Sequence, residues 1–294
     1  LNAMQSNSDG AGNVVNASIA IGRNAMAGSD TNEGTIAIGH YAGDHADTDI
    51  DNAVIIGREA GRAGLTSGTD GTIAVGYKAL TALTSGGSNT AIGYQSGKAL
   101  TTSGNNVAIG YDSLISAVDS CNSNVAIGVQ SMRYVDRGSD GSATVNGNIA
   151  LGYNALAGGD FGSSDKDLVG NIAIGKNTLD ATGANAQTGT VAIGHEALTA
   201  LTSGTGNVSL GYQAGMTMTT ASNNILIGYQ AGYLMLDNIK NVCIGTSAGG
   251  FLGSDEADEN VFIGNNAGAS GEWDESDNNT ANQNVGIGVS AMGG

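Results

Sequence analysis

The sequence predicts an all-β protein, a parallel β-solenoid or β-roll of about fifteen rungs. Three observations carry that prediction. First, a motif of aliphatic, usually small, aliphatic and Gly recurs fifteen times, on Gly22, Gly39, Gly57, Gly76, Gly93, Gly110, Gly128, Gly152, Gly175, Gly194, Gly211, Gly228, Gly245, Gly264 and Gly288. Second, the spacings are 17 to 19 residues, apart from three of 23 or 24, and a fixed short period marks stacked repeats. Third, 294 residues with 49 glycines, no proline and 4% aromatics lack the large side chains that fill a globule of this length. Without proline and a strict Gly-X-Y period the glycines do not make collagen. Regularly placed Val, Ile and Leu argue against disorder.

Each part of the repeat has a physical reading. The residue before the glycine is always Ile, Leu or Val, and the residue three before it is Ile or Val in every copy except Thr90. Bulky residues at period two predict a short strand, and the glycine that ends it permits a turn or a close backbone approach. Two variable residues follow, then Ala, Ser or Thr, then always Gly, Leu or Met. This part reads as a second short strand or corner that closes the rung. Stretches such as "TALTSGTGN" and "TTSGNN" supply turn residues before the next strand. Asn precedes ten strands, at positions 89, 106, 124, 148, 171, 207, 224, 241, 260 and 284. Stacked in adjacent rungs, these predict a ladder of side-chain amide hydrogen bonds rather than a sugar-binding column.

One such unit is too small to bury its own apolar face, so stability requires stacking. Fifteen rungs at about 4.8 Å each predict a rod roughly 70 Å long. The ends, "LNAM" and "GVSAMGG", match mid-rung segments such as "RNAM". They read as the edges of a piece of a longer fibre, with a tag remnant before Met4 as the other reading. The whole of 1–294 is expected to be a single repeat domain. The formal charge of −17 opposes nucleic-acid and anionic-membrane partners. No run reaches the roughly 18 apolar residues of a spanning helix. Cys121 and Cys243 are too few for a disulfide scaffold.

The position between the two aliphatics alternates with them and should face away from the rung's own core. It is occupied by Ala20, Ala37, Ala74, Ala91, Ala108, Ala126, Ala150, Ala173 and Ala192, then by Leu226, Cys243 and Phe262. A continuous small apolar stripe predicts a hydrophobic seam, read here as the centre of a homotrimer. The other reading places the stripe inside a two-walled core of one chain.

The segments "NNVAIGYDSL", "GNVSLGYQAG", "NNILIGYQAG" and "NTAIGYQSG" resemble repeats of phage and related bacterial tail-fibre proteins. They are also similar to "VAIG"-type repeats in the heads of trimeric autotransporter adhesins. The resemblance covers essentially the whole chain. It implies a left-handed β-roll, three intertwined chains and attachment to a host surface, on a virion tail or alternatively on a bacterial cell surface. Adhesin-head repeats are shorter, which favours the fibre-type relative.

No nucleophile, zinc-spaced cluster or acid constellation with a basic partner stands out, so neither catalysis nor a cofactor or metal is expected. His40 and His195 share a repeat position nine rungs apart, and His45 sits in an acidic loop. The acidic stretches 44–51, 254–260 and 272–279 read as solvated loops, with Ca²⁺ binding as the minor alternative. The long units carry insertions at 132–147, 157–170 and 268–283. Their Tyr134, Arg137, Phe161 and Trp273 are residue types favoured at contacts, and the other reading is that they cover the solenoid wall. The expected partners are further copies of the chain, other fibre or tail proteins, and a host-surface glycan or protein.

Overall fold

A computed structural model describes residues 17–28, 32–44, 50–117, 119–135, 144–158, 167–181, 186–252, 257–269 and 282–293. The chain forms two compact units, each a parallel β-solenoid. The first carries seven three-residue strands: Ile19–Ile21, Ile36–Ile38, Val54–Ile56, Ile73–Val75, Thr90–Ile92, Val107–Ile109 and Val125–Ile127. The second carries eight: Ile149–Leu151, Ile172–Ile174, Val191–Ile193, Val208–Leu210, Ile225–Ile227, Val242–Ile244, Val261–Ile263 and Val285–Ile287. Within each unit, successive strands pair in parallel with no slip, Ala91 lying opposite Ala108 and Ala173 opposite Ala192. Two-residue strands add short ladders: Cys121–Asn122 with Val145–Asn146 in the first unit, and Leu168–Val169, Gln187–Thr188 and Gly204–Thr205 in the second.

Stacking extends beyond the strands. Met26 N–H donates to Ala42 O at 2.9 Å, and Gln95 N–H donates to Tyr77 O at 2.8 Å. The corners therefore also bond rung to rung, pairing backbone groups that the short strands leave over. Each rung turns through left-handed residues at three fixed places, illustrated by Asn105 (φ 60°), Asp112 (φ 52°) and Leu114 (φ 51°). The last of these columns is also buried, as at Leu80, Leu114 and Leu156. It is restricted to Gly, Leu and Met because β-branched side chains clash in that conformation and polar ones would lose water.

The alternation of the strands is opposite in phase to the sequence expectation. Ala37, Ala74, Ala91, Ala108, Ala126, Ala150, Ala173, Ala192, Leu226, Cys243 and Phe262 are all buried inside their own chain, and Ala20 is partly covered. The stripe lines the core of a single chain, so it is not a surface seam. The flanking Ile and Val residues, such as Ile36 and Ile38 or Val107 and Ile109, are the ones that face outward, half-buried.

The cause is the narrow interior. No rung places a large side chain both at the strand centre and at the corner residue four after the motif glycine. Where the corner holds a buried Leu or Met, as at Leu80, Leu114, Leu156 and Leu198, the strand centre is Ala. Where the strand centre is Ile55, Leu226, Cys243 or Phe262, the corner is Gly61, Gly232, Gly249 or Gly268. A Cβ on Gly268 would lie 2.6 Å from the Phe262 ring, and one on Gly249 would lie 2.5 Å from Cys243 Sγ. Volume is thus exchanged across the core, large against small.

The asparagine column forms the predicted ladder. In the first unit Asn106 Nδ2–H donates to Asn89 Oδ1 at 3.2 Å, and Asn124 Nδ2–H donates to Asn106 Oδ1 at 3.1 Å. In the second unit the run Asn207, Asn224, Asn241, Asn260, Asn284 repeats the bond at 3.0 to 3.3 Å. The same amides donate to carbonyls of neighbouring segments, such as Cys121 O and Ala257 O. The ladder is structural, satisfying buried polar groups at the corner.

Candidate interaction surface

The outward face of each sheet presents three columns. The first and third strand positions are almost wholly aliphatic, and in mid-sheet Ile92 is 39% exposed. Beyond the glycine column lies a third column, at the residue following the motif glycine.

That third column carries the aromatics. In the first unit Tyr77, Tyr94 and Tyr111 follow in successive rungs, with ring centroids 5.1 Å apart at each step. In the second unit His195, Tyr212 and Tyr229 do the same at 5.3 and 5.4 Å. Tyr94–Tyr111 and Tyr212–Tyr229 stack at 7° between planes and His195–Tyr212 at 15°, while Tyr77 is tilted by 36° against Tyr94. The last ring of each ladder keeps about half its surface in water, Tyr111 being 48% and Tyr229 50% exposed. In the first rungs cations replace or cover the rings. Arg58 lies 4.6 Å and Lys78 5.3 Å from the Tyr77 ring, and Arg62 lies 4.5 Å from Tyr41. The Tyr77 phenol is held below its ordinary value, first by its bond to the Arg58 guanidinium. His40 is held below 6.5 by loss of water and then by the charge of Arg23. It accepts a hydrogen bond from Arg23 Nε–H at 2.9 Å.

Of the predicted loop contacts, Tyr134 is exposed, with the Arg133 guanidinium 4.7 Å over its ring. Arg133 also faces Asp112 at 3.6 Å. Arg137, Phe161, Trp273 and His45 lie outside the described residues. The acidic stretch 272–279 lies wholly outside them, and 44–51 and 254–260 lie partly outside. Among the described residues no group of His, Cys, Asp and Glu is arranged to hold a metal. Cys121 and Cys243 are free and buried, and burial pushes both thiols up to about 12.

The tyrosine ladders were not anticipated, because their column reads as variable. The signal was present: "GY" recurs at Tyr77, Tyr94, Tyr111, Tyr153, Tyr212 and Tyr229, a fixed repeat position that stacking superposes. Among the described residues no helix is long and apolar enough to cross a membrane. No protein-family model matches the chain, and no curated protein matches it significantly.

Proposed function

We propose that this chain is a shaft and adhesion segment of a homotrimeric tail fibre of a phage or phage-like particle, exposed on the virion tail and serving attachment to a host surface. The single observation that carries the reading is the outward aliphatic face of the repeat. A lone chain leaves two columns of Ile, Val and Leu half in water, and an apolar face repeated through rung after rung is a surface for assembly. Three copies packed on these columns would bury them. The third column, with its Arg, Lys, His and Tyr residues, would sit at the rim, where such residues are favoured. A trimer of stiff rungs multiplies weak contacts by avidity. The same face would equally serve the head of a trimeric bacterial adhesin, which is the second reading.

Light scattering over a range of concentrations tests assembly directly. The expected result is a mass of three chains. Ile92→Lys combined with Ile109→Lys, both outward in a folded chain, should give monomers with an unchanged circular dichroism spectrum. A wild-type monomer at every concentration would overturn the proposal.

A further inference from the structure

Within a chain of net charge −17, the first four rungs gather cations on one strip. Arg23, Arg58, Arg62 and Lys78 face only two described carboxylates there, Glu59 and Asp44. Those ion pairs are long: Arg58–Glu59 3.7 Å, Arg62–Glu59 3.5 Å, Lys78–Glu59 3.6 Å and Arg62–Asp44 3.9 Å. Charge-assisted hydrogen bonds lie near 2.7–2.9 Å, so Glu59 attracts three cations without closing on any of them. The guanidiniums are nonetheless held in place. Arg58 lies over Tyr77, Arg62 over Tyr41, and Arg23 is bonded to His40. Preorganised, partly exposed guanidiniums lose little freedom on binding an anion. Arg23 and Arg58 occupy the same repeat position two rungs apart, so the cations lie along the stacking direction, which suits a linear ligand.

We infer that this strip binds an acidic glycan chain, its carboxylate or sulfate groups received by Arg58, Arg62, Arg23 and Lys78. The inference deepens the adhesion reading and takes its biological setting from it. Glu59 acts as an internal competitor that the ligand's acids outnumber. The negative surface elsewhere disfavours the same polymer, so binding is confined to the strip.

The test is calorimetric titration of the full 294-residue chain at low salt with three probes of matched length: a sulfated oligosaccharide, an oligogalacturonate and neutral dextran. Binding of either acidic probe, lost in high salt, with none of dextran, is the expected result. Arg58→Gln with Arg62→Gln should weaken it by about tenfold or more, and Lys240→Gln on the second unit should not change it. Glu59→Gln should tighten it by about threefold, a gain that a misfolded variant could not show. Equal binding of dextran, no binding of either acid, or an unchanged affinity in the double variant would overturn the inference. Light scattering on the same samples separates the two proposals. A trimer that binds no acid removes the strip and leaves the fibre reading, whereas a monomer that binds removes the fibre reading and leaves the strip.

Discussion

The motif glycine is fixed by its neighbour in the stack. Gly93 has φ 140°, and a Cβ there would lie 2.3 Å from the carbonyl oxygen of Gly110. Gly93→Ala should therefore destabilise its unit by about 3 kcal/mol or more, read from urea unfolding. Ser123 is a contrast, since its φ of 58° is left-handed and glycine adopts that conformation without steric cost. Ser123→Gly should change stability by no more than about 1 kcal/mol. The two cysteines make a separate prediction. With Cys121 and Cys243 buried and their thiols pushed up to about 12, almost no thiolate forms at neutral pH. A thiol reagent at pH 8 should leave both unmodified in the folded protein and label both in denaturant.

Between rungs, the exchange of volume across the core makes substitutions interdependent. Phe262→Ala should open a cavity and cost about 3–5 kcal/mol. Gly268→Leu alone should clash with the Phe262 ring, only 2.6 Å from the added Cβ. Combined, they recreate the Ala and Leu pairing of other rungs, so the double variant should recover about 2 kcal/mol or more relative to additivity. A denaturation cycle showing additive losses would contradict the exchange. Asp180 gives the same element scale a pH dependence. Burial pushes its carboxyl up to about 6 from 3.8, with the Glu196 charge adding in that direction. The folded state then holds the proton more tightly than the unfolded chain, so stability falls as pH rises from about 4 to about 6 and levels off above. Asp180→Asn should remove this loss, its stability advantage over wild type growing across that window in melts at matched salt.

Taken as a molecule, the chain shows why outward aliphatics matter more than the inner stripe. Ala91 and Ala173 are wholly enclosed and offer nothing to a second chain. The outward columns that flank them do, and their substitution by Lys is the discriminating perturbation for a trimer. Charge enters at this scale as well. An acidic surface resists indiscriminate association, while the cationic strip of the first rungs is the local exception.

The sequence by itself determined the repeat, its register, the short parallel strands and the asparagine ladder. Each is a property of one position recurring at a near-constant interval, and stacking turns such recurrence directly into contact. It also showed the restriction of one corner column to Gly, Leu and Met, although the reason lay in a left-handed backbone that no residue type declares alone. The direction of each side chain was decided by the tertiary structure. Period-two alternation is symmetric, so it cannot say which set faces inward. Only the width of the core did so, admitting Ala with an opposing Leu, or Phe with an opposing Gly, and sending the Ile and Val flanks out. The stacked tyrosines and the strip of cations emerged for the same reason. Residues some 17 to 19 positions apart in the chain become neighbours once the rungs lie on one another.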